Sequence, residues 1–131
     1  MDAVHVRLHG ERYAIDAASV VEVDQRDAMT PVWGAPPLVA GVRNLRGSVL
    51  PVLDLAAALG LAAHPDAPYV VVVEAGAAVA GLGVDGVTDV ERLPPDLEPA
   101  DRPGLCGHAL VGDERVGVID VRAVLDMAAP A

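Results

Sequence analysis

The chain is 131 residues long and 53% hydrophobic, which supplies a core for one compact domain or two very small ones. Nine Lys and Arg against 19 Asp and Glu leave a formal net charge of −10, a field that repels phosphate backbones and anionic lipid and so excludes nucleic acid and direct lipid contact. One Cys excludes an intramolecular disulfide and a cysteine-rich metal site.

Two Tyr, one Trp and no Phe leave Val, Leu, Ile and Ala to build the interior, while 11 Pro and 13 Gly break the chain too often for long helices. A mainly β chain is expected. The N-terminus lacks the basic and apolar regions of a secretory signal, and the longest apolar stretch, 75–84, is too short and glycine-rich to span a bilayer. The expectation is a soluble cytoplasmic protein with no membrane insertion of its own.

In chain order, Val4, Val6 and Leu8 alternate with His5, Arg7 and His9, the period-two pattern of a half-buried strand. Gly10-Glu11 turns the chain and 12–15 returns it. Asp16 opens one helical turn over 17–19, and a third strand starts at Val20. Polar 24–30 and proline-rich 31–37 lead to a hairpin over 41–53, bent at Arg46-Gly47. Asp54 then caps a short helix over 55–59, which Gly60 stops. After a connector at 64–68, strands over 69–73 and 79–84 form a second hairpin, followed by Asp85-Gly86 and a strand over 87–90.

The second half repeats the first. Residues 118–125 parallel 52–59 at the 66-residue offset that separates Asp54 from Asp120, and Asp85 is set against Asp16 at an offset of 69. Five short strands per half suit a small closed barrel, which leaves no exposed edges. The repeat predicts two similar small barrels, residues 1–66 forming the first and 67–131 the second.

No residue pattern points to catalysis. His5 and His9 share a strand face in this reading but have no third ligand nearby, so they are read as surface histidines rather than as a metal site. Cys106-Gly107-His108 is read as strand, neighbouring residues facing opposite ways, and not as a nucleophile with its base. Asp16, Asp54, Asp85 and Asp120 each follow a strand and precede a turn, which suits caps better than paired acid and base. No glycine-rich phosphate loop is present. The distinctive feature is apolar surface beside a cation: Val20, Val23 and Leu38 near Arg46, a combination suited to a protein-binding patch.

Tyr13-x-Ile15-Asp16-x-x-x-Val20-x-Glu22-Val23, then Pro36-x-x-x-x-Gly41-Val42-x-Asn44-Leu45-Arg46-Gly47-x-Val49-x-Pro51-Val52-Leu53-Asp54-Leu55, resembles the CheW family of chemotaxis coupling proteins. The second half agrees, with Gly81-x-Gly83-Val84-Asp85-Gly86-Val87-Thr88-Asp89-Val90 and Val118-Ile119-Asp120. The resemblance implies an all-β fold of two intertwined five-stranded SH3-like barrels with short helical turns, strands being exchangeable between them. It implies a non-enzymatic adaptor without cofactors, linking the cytoplasmic tips of methyl-accepting chemoreceptors to the histidine kinase CheA through that kinase's CheW-like regulatory domain. The family's receptor-facing surface falls on Val20, Glu22, Val23, Leu38, Asn44 and Arg46, and its kinase-facing surface, at the barrel ends, on Met29 and Val32. Ring-like self-association is compatible with this family. The alternative is a regulatory binding module of the same fold in a chemosensory-like pathway unrelated to motility.

Overall fold

The computed structural model describes residues 1–25, 30, 36–45 and 47–128, the side chain of Leu45 excepted. Ten strands are described: β1 (Asp2–Leu8), β2 (Glu11–Asp16), β3 (Val20–Gln25), β4 (Val39–Leu45), β5 (Ser48–Leu53), β6 (Tyr69–Ala75), β7 (Ala78–Val84), β8 (Gly86–Arg92), β9 (Leu105–Val111) and β10 (Glu114–Ile119). A 3-10 turn over Ala17–Ser19 follows β2, α1 (Leu55–Ala58) follows β5 and α2 (Val121–Ala128) follows β10.

Each helical piece starts at an aspartate, as expected. Asp16 accepts the Ala18 amide at 3.0 Å, Asp54 the Ala57 amide at 3.1 Å and Asp120 the Ala123 amide at 3.0 Å, satisfying donors that the first turn leaves open. Gly60, at φ +77°, ends α1 in a conformation that costs a residue with a Cβ more.

The strands form two five-stranded sheets, β8-β1-β2-β10-β9 (sheet I) and β3-β6-β7-β5-β4 (sheet II). Replacing each strand by its counterpart in the other half, β1 by β6 and so on, turns one order into the other. The repeat is therefore structural. The sheets do not follow a division at residue 66, however. Sheet I takes β1 and β2 from the first half and β8 to β10 from the second, and sheet II takes the rest. Local patterning marks where strands lie, and pairing between distant strands decides which sheet receives them.

Register fixes the residue-level correspondence. His5 pairs with Ala14, which pairs with Val118; Val72 pairs with Gly81, which pairs with Val52. His5 thus corresponds to Val72, Ala14 to Gly81 and Val118 to Val52. By the same register Asp16 corresponds to Gly83, so Asp85 lies two residues beyond the place its sequence offset assigns, and no helical turn follows it.

The main core lies between the sheets. Val4, Val6, Leu8, Tyr13 and Ile15 of sheet I meet Val71, Val73, Leu82 and Val84 of sheet II, and Leu55, Leu59, Val124 and Leu125 of the helices close it. Each such side chain contributes about 1.5–3 kcal/mol by leaving water. A smaller cluster fills each sheet's other face: Ala3, Ala14, Leu93, Ala109, Val116 and Val118 in sheet I, and Val52, Val70 and Val72 in sheet II. The valines leave no room at Gly81, where a Cβ would lie 2.5 Å from Val70 Cγ1. Because both faces are covered, β1 is not half-buried. His5 is fully buried, and His9 lies outside the strand in the following turn, so the two do not share a face.

Candidate functional site

β3 and β4 stand at opposite ends of the order of sheet II, yet they meet. Arg43 of β4 donates to Asp24 of β3 at 3.1 Å and to the Gln25 carbonyl at 3.5 Å. Thr30 and Val42 exchange backbone hydrogen bonds of 3.1 and 3.0 Å beside this contact. The sheet thus curls into a barrel whose seam carries most of the residues singled out from the sequence.

β3 pairs with β6 through a bulge between Val20 and Glu22, and its exposure alternates from there. Val21 and Val23 face outward, 44% and 43% exposed, while Val20 is half-buried against the main core. Glu22 is half-buried on the inner side of the seam. Leu38 packs partly on the main core, and its carbonyl accepts the Asp54 amide at 2.8 Å. Asn44 is exposed, and its Oδ1 accepts the Gly47 amide at 2.9 Å, bracing a turn that needs the left-handed φ of +86° at Gly47. Arg46, Met29 and Val32 lie outside the described residues. Val23 and Asn44 are thus exposed on the two strands that meet at the seam, while Val20 and Leu38 pack partly on the main core.

Sequence reasoning missed the neighbouring end of this barrel. Val21, Val49 and Val79, with Ala77, Leu50 and Pro51, line a groove of about 430 Å³ that also takes in Glu22 and Ser48, and Val49 is 68% exposed. The signal was present: in Ser48-Val49-Leu50, a buried Leu50 requires that Val49 face out.

The register-equivalent end of the other barrel is polar. Arg12 corresponds to Val79, Glu114 to Ser48 and Arg115 to Val49. Arg12 donates to His5 Nδ1 at 2.9 Å, to Glu114 at 3.3 Å and to Glu91. Arg7 reaches Glu114 at 2.6 Å. His108 and Arg115 hold Asp101 at 2.7 and 3.1 Å. Hydrogen bonds from Arg7 and then Arg12 hold the Glu114 carboxyl below the usual range, and those from His108 and Arg115 do the same for Asp101. Burial, then the Glu11 carboxylate that accepts its hydroxyl at 2.8 Å, push the Tyr13 phenol up to about 12.

These groups are committed to one another and not poised for chemistry. Cys106 and His108 are two apart, so regular alternation would bring them to one face, contrary to the reading above. A bulge between Val118 and Ile119 separates them instead, leaving Cys106 exposed with its thiol directed to the Val118 carbonyl. Burial, then the Asp120 charge, raise that thiol's pKa, the opposite of an activated nucleophile. Among the described residues no group of three or more His, Cys, Asp or Glu could hold a metal ion, and no helix is long and apolar enough to cross a membrane.

The family model of the CheW-like domain matches residues 2–129. The chain belongs to the CheW-like family. The chemotaxis protein CheW of Klebsiella aerogenes is 30% identical over 128 residues, covering 90% of this chain and 77% of that protein. The chemotaxis protein CheW of Rhizobium meliloti is 36% identical over 101 residues, 75% of this chain and 65% of that protein. Protein FrzA of Myxococcus xanthus is 34% identical over 111 residues, 82% of this chain and 67% of that protein. The crystal structure of the scaffolding protein TtCheW from Thermoanaerobacter tengcongensis shares the fold at a TM-score of 0.80 and 27% identity, over 92% of this chain and 84% of that one. The two barrel-like, five-stranded sheets are the architecture this CheW-like family was expected to have.

Proposed function

We propose that this protein is a non-enzymatic chemotaxis adaptor in the cytoplasm, coupling the tips of chemoreceptors to a CheA-type histidine kinase through the kinase's CheW-like regulatory domain. The observation that carries this reading is the exposure of Val21 and Val23 on β3, together with the turn that Asn44 braces between β4 and β5. Val23 and Asn44 present the receptor surface together with Arg46, and the partly buried Val20, Glu22 and Leu38 support it. The kinase domain docks on the barrel end that carries Val21, Val49 and Val79, with Met29 and Val32 as further contacts. Exposed valines on rigid strands lose little entropy when covered, which suits a binding surface. A relative whose name is not CheW, protein FrzA, keeps a second reading in view, the same module serving a related chemosensory-like pathway.

The test uses the purified protein, a receptor hairpin and the regulatory domain of the partner kinase. Val23→Asp and Arg46→Ala are expected to weaken receptor binding at least tenfold, and Val49→Asp to weaken kinase binding alike, with melting temperatures unchanged. Val20→Asp is a poor probe because Val20 packs on the core. Wild-type affinity in all three variants overturns the surface assignment. A wild-type protein that binds neither partner favours the second reading.

A further inference from the structure

The chain crosses between sheets twice, from β2 to β3 and from β7 to β8. The first crossing is a local affair, with Asp16 bonded to an amide two residues away. The second is not. The Asp85 amide donates to the Arg7 carbonyl at 2.8 Å, and its carboxylate accepts the His9 amide at 2.9 Å and takes His64 Nε2 at 2.6 Å. One residue at the crossover therefore holds the β1–β2 turn of sheet I and the segment between α1 and β6.

The bonds continue in both directions. The His64 amide donates at 2.9 Å to Asp54, a buried carboxylate that also caps α1. The Asp54 amide in turn donates to Leu38. On the other side, His9 Nε2 reaches the Ala62 carbonyl at 2.8 Å, and the His9 and His64 rings lie 5.2 Å apart. His9 has φ +51°, the left-handed value that among the described residues only glycines otherwise take. A turn held in an unfavoured conformation by bonds from two other segments is over-determined by its surroundings. The His9 amide and the His64 ring lower the Asp85 pKa against the opposing effect of burial, in keeping with a carboxylate that stays ionised between its donors.

We infer that Asp85, His64 and Asp54 form a latch that couples the loop carrying Leu38 in sheet II to the β1–β2 turn of sheet I. The inference rests on the proposed receptor surface for its use, since Leu38 belongs to that surface, and on the hydrogen bonds alone for its existence. Covering Leu38 steadies the Asp54 amide bond, and through His64 and Asp85 the same event steadies His9 in the other barrel. A contiguous chain of hydrogen bonds is one physical carrier of such coupling, and measurement decides whether energy follows it.

Amide hydrogen exchange in the full chain, without partners, tests the latch. Asp85→Ala removes the carboxylate that His64 and the His9 amide share and is expected to speed exchange at the Asp54 amide, which Asp85 does not touch, at least fivefold, with the Val71 amide unchanged. His64→Ala is expected to match it, and His64→Gln, which keeps a donor, to stay within twofold of wild type. Unchanged exchange at Asp54 in Asp85→Ala overturns the latch, as does a His64→Gln variant that behaves like His64→Ala. Should His64→Ala lose protection at Val71 as well, Asp85→Ala decides. The readout is independent of partners, so failure here leaves the adaptor reading standing, and failure to bind receptor and kinase leaves the latch standing.

Discussion

The two barrels share a strand order and a register, but their equivalent ends are built from opposite chemistry. Where sheet I has His5, Arg12, Glu114 and Arg115, sheet II has Val72, Val79, Ser48 and Val49. In sheet I the buried imidazole accepts from Arg12, and that guanidinium is held by Glu91 and Glu114. In sheet II the same place is filled by a fully buried valine, and the rim around it is mostly apolar, Val21, Val49 and Val79, with Glu22 and Ser48 among them. The repeat preserves what closes a barrel, which is strand pairing and inward Val or Ala, and leaves the mouth free to diverge. One mouth ties its guanidinium and carboxylate groups to one another. The other leaves apolar surface to be covered by something else.

Exchanging residues between the mouths breaks the comparison most severely. Val72→His buries an imidazole with no guanidinium beside it and is expected to cost about 3 kcal/mol, whereas His5→Val is expected to cost about 1 kcal/mol, because it removes a buried ring whose Nε2 has no partner. Urea unfolding of both variants gives the two values. Equal costs would mean that the mouths are not specialised. Next in size, Arg12→Val strips His5, Glu91 and Glu114 of a shared donor and is expected to cost about 2 kcal/mol, against under about 1 kcal/mol for Val79→Ala on the half-exposed rim of the other mouth.

The smallest effect is a dependence on pH. Glu114, Asp101 and Asp85 all have folded pKa values below the usual carboxylate range. Their contribution to stability is fully present above that range and is lost as the pH falls through the lowered values, that is, below about pH 4. Unfolding midpoints measured on the acid side are expected to drop less in Arg12→Val, which has already lost a donor to Glu114, than in Val79→Ala. Added salt at neutral pH should likewise narrow the gap between wild type and Arg12→Val, since these pairs are partly exposed.

Much of this was legible in the sequence because it is local. Strands showed as Val-rich runs between glycines and prolines, and Asp16, Asp54 and Asp120 announced their helical turns by position. The exchange of strands was not legible from those patterns, since pairing β2 with β10 brings together residues such as Tyr13 and Gly117 that no short-range signal connects. His5 was misread for a related reason: alternation says which residues share a face, not whether that face is covered. Within the candidate surface, plain alternation along β3 decided the outcome. Val20 and Val23 are three residues apart and so fall on opposite sides, Val21 and Val23 outside and Val20 against the core, which the sequence reading overlooked when it grouped Val20 with Val23.

The exchanged topology also sets a timetable for synthesis. Sheet II is made of β3 to β7 and can close once the ribosome has released residue 84, whereas β1 and β2 were made first and must wait. β2 has no lateral neighbour on its open side until β10, Glu114–Ile119, emerges to lie between it and β9. The β1–β2 segment, made before sheet II, is thus among the last to find its place, and during that interval Val4, Val6 and Ile15 depend on the finished sheet II for cover.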